Sequence, residues 1–131
     1  MPSRPPLTSA DAVVATGAVL LVPVAAASIR LMPLPRALAL VSRCARYLPR
    51  PSISRETARI VNGAASRAGA RCLTTALVLH AILGRAGVRS QVVIAAARQD
   101  GQLKSHAWVE CDGRPVAGST FGWNTLWRSG S

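Results

Sequence analysis

Two short segments of this 131-residue chain hold side chains that can do chemistry. Cys72 follows Arg71 and opens an apolar run, Leu73-Thr74-Thr75-Ala76-Leu77, that reads as a helix. His106 lies within Lys104-Ser105-His106-Ala107-Trp108-Val109-Glu110, a stretch rich in β-formers. A helix N-terminus carries about half a positive charge, and Arg71 adds a full one, so both favour a thiolate. A thiolate and an imidazole are the nucleophile and base of acyl-transfer chemistry. Strand alternation puts His106, Trp108 and Glu110 on one face and Ala107, Val109 and Cys111 on the other. If the His106 face meets the helix headed by Cys72, thiol and imidazole come within hydrogen-bond reach. His80 lies about 12 Å along the same helix from Cys72, too far to act as its base, and reads as a packed or surface histidine.

The other thiols lack these advantages. Cys44 falls mid-helix among arginines, and Cys111 ends a strand. Three cysteines, two histidines and no CxxC pair offer no closed tetrahedral metal site and no complete disulfide framework. Neither a metal nor a cofactor is implied, and free thiols point to a reducing, cytoplasmic setting.

Elements that could hold the pair follow from turn and cap signals. Ser52 or Ser54 can cap a helix that runs to about residue 68, with Glu56 in its first turn. A second helix spans residues 72–86 and ends at Gly87. Residues 88–97 form a strand, Asp100-Gly101 a hairpin turn, and residues 104–111 a second strand. Asp112-Gly113 is a further turn, and a third strand runs from Arg114 to about Phe121. Helices followed by an antiparallel meander make an α+β fold with helices on one face of a small sheet.

The N-terminal third differs in composition. Residues 12–29 contain no charge. That stretch admits a membrane helix, a signal peptide cut after Ala25-Ala26-Ala27, or an apolar helix packed on the protein or lying on a membrane surface. Pro33 and Pro35 interrupt it. Residues 36–48 then form a basic amphipathic helix with Leu38, Val41, Ala45 and Leu48 on one side. The expected division is residues 1–50 as a hydrophobic and basic helical region and residues 51–131 as the reactive domain.

The net charge is +11, from 16 basic and 5 acidic residues. An acidic peptide or an anionic membrane surface suits that charge. The basic residues are scattered from Arg4 to Arg128 with no aromatic-interleaved cluster, so no nucleic-acid partner is expected.

Residues 71–80, then Gly87-Val88-Arg89-Ser90-Gln91-Val92-Val93-Ile94, then Lys104–Glu110 and Asp112-Gly113-Arg114-Pro115-Val116, resemble the transglutaminase-like leader peptidases of lasso peptide biosynthesis. The likeness covers residues 54–117, and the apolar helix and Leu-Pro-Leu-Pro before them also look like that family. It implies a transglutaminase-like (papain-like) core. It also implies a cysteine peptidase that removes the leader from a ribosomally made precursor. The implied partners are the precursor peptide, a leader-recognition protein and a macrolactam-forming cyclase. Cys72 takes the nucleophile's place and His106 the base's. A catalytically weakened leader- or partner-binding module at a membrane is the alternative, and a membrane-anchored acyltransferase or deamidase with the same dyad ranks third.

The family's third residue is an Asp that orients the histidine. The chain departs from that pattern. Asp112 lies about 20 Å along the strand from His106. If Asp112-Gly113 is a two-residue turn, Cys111 pairs with Arg114 and His106 falls opposite Ser119. Ser119 is therefore one candidate orienter. Asn124 is another, if the tail folds back, and Glu110, about 7 Å away, could act through a water. The aromatics of residues 121–127 are expected to pack on the sheet edge or wall a peptide groove.

Overall fold

Two Asp-Gly pairs set the register of the sheet. Asp100 and Gly101 have φ of 52° and 76°, and Asp112 and Gly113 have 54° and 77°. Two successive positive φ values give the tight hairpin turn whose twist matches that of the strands. In this computed structural model, which describes residues 9–48, 57–69, 71–116 and 124–129, the first turn joins β1 (Gln91–Gln99) to β2 (Gln102–Cys111). The second joins β2 to β3 (Arg114–Pro115) and pairs Cys111 with Arg114, as the turn reading requires. The expected continuation of this strand to Phe121 is described only as far as Val116, whose N–H donates to the Val109 carbonyl at 2.9 Å.

A fourth strand, β4 (Asn124–Arg128), pairs antiparallel with β1, and the sheet order is β3-β2-β1-β4. The meander read from the sequence is therefore extended by a strand on its far side. β4 gives no alternating signal because four of its five residues are exposed. A register shift opposite Ile94 and Ala95 disturbs the period further. Ser129 fixes its end to β1: the Val92 N–H donates to Ser129 Oγ and the Ser129 N–H to the Val92 carbonyl, both at 2.9 Å.

Among the described residues four helices precede the sheet: α1 (Ser9–Leu31), α2 (Leu34–Ala45), α3 (Thr57–Arg67) and α4 (Cys72–Arg85). α2 starts two residues earlier than expected. Pro35 lies in its first turn, where a missing N–H costs nothing and the fixed φ suits a helix. The Ser52 and Ser54 caps expected before α3 lie outside the described residues. α4 ends where Gly87 adopts φ 86°. There Val88 N–H bonds the Leu83 carbonyl and Gly87 N–H the Gly84 carbonyl, closing the last turn as a Schellman motif.

All four helices and one face of the sheet share a hydrophobic core. Val14, Leu21, Val41, Val61, Leu77, Val92, Ala107 and Val109 belong to it, with Ile94 and Trp127 packed against it. Where helices meet, the buried residues are often alanines: Ala18, Ala25, Ala45 and Ala65 have no exposed surface. The opposite face of the sheet has its own small cluster, Val93, Ala95 and Trp108. α1 is long and apolar enough to cross a bilayer, yet 39% of that window is buried within the protein.

Candidate active site

Cys72 is the first residue of α4, after Arg71 with extended backbone, φ −84° and ψ 169°. Arg71 makes no side-chain cap, and Thr75 N–H is the one that bonds back to the Arg71 carbonyl, at 2.9 Å. The N–H groups of residues 72–74 precede the first intrahelical bond and are left for other acceptors. Of the three free thiols, Cys72 is exposed and Cys44 and Cys111 are half-buried. Burial, and then the Asp112 charge, push the Cys111 thiol's pKa up.

Cys72 and His106 line one cleft of about 290 Å³, with Asn62, Thr75, Leu79 and Val116 among its other walls. His106 enters it in a way the face argument did not foresee. The side chains of β2 that pack on the helices are Ala107 and Val109. His106 shares the opposite face with Trp108, their ring centroids 5.7 Å apart and their planes 32° from parallel. Residues of both faces, His106 and Trp108 from one and Ala107 and Val109 from the other, line the cleft along β2. Asn62 is an addition to the expected site. It is a half-buried amide on α3, and a lone Asn in a helix pattern reads as a solvated residue until the tertiary contact is known.

The candidate orienters fare differently. Ser119 lies outside the described residues. Asn124 is on β4, paired with Ala96, which in turn pairs with Ser105. It stands about 10 Å from β2, two strand spacings away, and is not among the cleft residues. Glu110 is buried with both oxygens engaged. Trp108 Nε1–H donates to Oε2 at 2.8 Å, and Arg128 Nη1–H donates to Oε1 at 2.5 Å. Burial alone would raise its pKa, but the bonds from Trp108 and Arg128 and the Arg128 charge outweigh burial and hold the carboxyl below its usual value.

His80 is half-buried, and its Nδ1 is hydrogen-bonded to the Ser90 hydroxyl at 2.7 Å. Burial lowers its pKa from 6.5. Neither the ring nor Ser90 borders the cleft, which fits the packing role read from its spacing. Both depressed groups act in the same direction on stability. The unfolded chain binds their protons first, so each contribution is complete above the unfolded pKa and is lost as pH falls through the folded one. The melting temperature should fall in two stages on acidification, below 6.5 for His80 and below 4.5 for Glu110. His80→Gln should flatten the first stage alone, in thermal unfolding followed by circular dichroism. An unchanged upper stage in that variant would rule His80 out as its source.

Among the described residues no three His, Cys, Asp or Glu side chains are grouped to hold a metal. The arrangement instead suits covalent catalysis: an exposed thiol at a helix start and an imidazole in the same cleft. The chain matches the transglutaminase-like superfamily over residues 18–126, and it belongs to that superfamily. Its fold is accordingly cysteine-peptidase-like and α+β, with an added apolar N-terminal helix. No curated protein and no solved structure matches the chain.

Proposed function

We propose that the protein is a cysteine peptidase that removes the leader from a ribosomally made lasso peptide precursor. The observation that carries this reading is the shared cleft of Cys72 and His106 in a transglutaminase-like chain. Cys72 Sγ attacks the carbonyl at the leader–core junction as His106 takes the thiol proton. The N–H groups at the head of α4 stabilise the oxyanion. His106 then protonates the departing amine, leaving a thioester on Cys72. Water, deprotonated by His106, hydrolyses the thioester and frees the thiol.

The substrate class rests on the likeness of residues 71–80, 87–94 and 104–116 to the leader peptidases. With it come the leader-recognition protein and the macrolactam-forming cyclase as partners, and residues 51–131 as the peptidase domain. The +11 charge would draw an acidic leader toward the protein. The decisive experiment incubates the purified chain with precursor and leader-recognition protein and follows products by mass spectrometry. Leader and core should appear together, with one water added at the cut. An intact precursor that nonetheless co-purifies with the chain would favour the binding-module alternative.

A membrane contact belongs to the same reading. The inner side of α1 is committed to the core, through Val14, Leu21 and Ala25. Its outer side exposes Val13, Val19 and Leu20, and Arg30, Arg36, Arg43 and Arg46 are exposed along α1 and after it. Exposed apolar residues on a helix followed by exposed arginines suit the surface of an anionic bilayer better than its interior. The chain should sediment with vesicles containing phosphatidylglycerol and not with phosphatidylcholine alone, and Leu20→Glu should weaken that binding. Equal sedimentation with both vesicle types would remove the electrostatic part of this assignment.

A further inference from the structure

The face of the sheet that carries His106 holds a continuous chain of contacts. Arg128 and Trp108 both pair with Val93, one from each side, so they lie in one row across β4, β1 and β2. Glu110 lies one step further along β2 on the same face and bonds both of them. His106 lies one step back, opposite Ala95, with its ring on the Trp108 indole. Val93 and Ala95, fully buried, form the floor under these side chains. Trp108 and Glu110 are themselves buried, at 7% and 5% exposure, so their conformations are confined by packing as well as by hydrogen bonds.

We propose that Arg128, Glu110 and Trp108 form a positioning relay for His106, running from the edge strand to the cleft. The inference rests on the reading of His106 as the base. Arg128 fixes the Glu110 carboxylate from β4, the carboxylate fixes the indole through its N–H, and the indole fixes the plane of the imidazole. A tilted ring pair at this distance is orientationally selective, because aromatic quadrupoles favour tilted or offset arrangements. The carboxylate near the histidine thus acts through an indole and not by direct contact. Such a relay orients the base whatever residue meets the other edge of the imidazole. It also gives β4 a part in the site although none of its residues lines the cleft.

Two measurements test this, one of which needs no activity. The chain has two histidines, so ring-labelled histidine gives two imidazole signal sets, with His80 on α4 as an internal control. Arg128→Met should remove the ring-current displacement of the His106 signals and leave those of His80 in place. Arg128 is half-exposed and belongs to neither buried cluster, so Met in its place opens no cavity, and the His80 signals report any loosening caused by the loss of Glu110's charge partner. Arg128→Lys should restore most of the displacement. Trp108→Phe, which keeps a ring but no N–H for Glu110, should reorient the imidazole without freeing it. In the cleavage assay Arg128→Met should lower kcat about 10-fold with KM nearly unchanged, since a misplaced base slows chemistry and not binding. His106 signals unmoved in both Arg128→Met and Trp108→Phe would overturn the relay. So would equal movement of the His80 and His106 signals, which marks general loosening. Cleavage that survives Cys72→Ala would defeat the peptidase reading and leave the ring measurements to decide the relay on their own.

Discussion

Cys72→Ala should abolish the proposed precursor cleavage, by about 10⁴-fold or more, and leave the melting temperature where it was. The size follows from covalent catalysis: without the sulfur there is no thioester, and a nucleophile and its base act as a unit. His106→Ala should therefore cost about as much, and the double variant little more than either single one. Stability is untouched because Cys72 is exposed, and substitutions at such positions stay within about 0.5 kcal/mol. Cys44→Ala and Cys111→Ala should keep the cleavage. The same contrast should appear in iodoacetamide labelling, where Cys72 reacts first as the exposed thiol. Cleavage by Cys72→Ala at the wild-type rate would end the peptidase assignment.

Leu77→Ala has the opposite profile. Leu77 is fully buried in the second turn of α4, in the cluster that joins all four helices to the sheet. Truncation removes transfer energy and leaves a cavity, together about 2–5 kcal/mol. Small domains have about 5–15 kcal/mol in total, so this one side chain holds a large share. Denaturant unfolding should show the midpoint falling with the slope unchanged. Leu126→Ala, on the 67%-exposed residue of β4, is the matched control and should cost under about 0.5 kcal/mol. A similar loss in both variants would mean that α4 does not anchor the core.

Local chemistry explains what could be read from the sequence. Both Asp-Gly turns were legible because that dipeptide tolerates two positive φ values, and the Cys111–Arg114 register followed from them. α4 was legible to within a residue because Gly87 ends it. β4 was not, because its pairing with β1 depends on contacts some 35 positions apart, such as Val93 with Arg128, and on a register shift. The site was legible as a pair of residue types. Cys72 could be placed from its helix start, and His106 could be assigned to the correct face with Trp108. Which face the helices would cover was not written in β2, since His106, Ala107, Trp108 and Val109 are all at least half-buried. Glu110 read as a carboxylate about 7 Å from His106 that could act through a water. Its use depends on Arg128, which arrives from the strand the sequence did not reveal.

The alanines at the helix contacts have a consequence for how the protein tolerates change. Ala18, Ala25, Ala45 and Ala65 leave no exposed surface, and a methyl group is the whole side chain at each. Little can be lost there, because no large group is present to truncate. Much can be gained in the wrong sense, because a longer side chain has to push two backbones apart in a close-packed interior. These alanine sites are thus more sensitive to added volume than to removed volume. At Val93 in the sheet floor and Leu77 in α4, where larger side chains are fully buried, removed volume counts as well, so neighbouring core positions tolerate change differently.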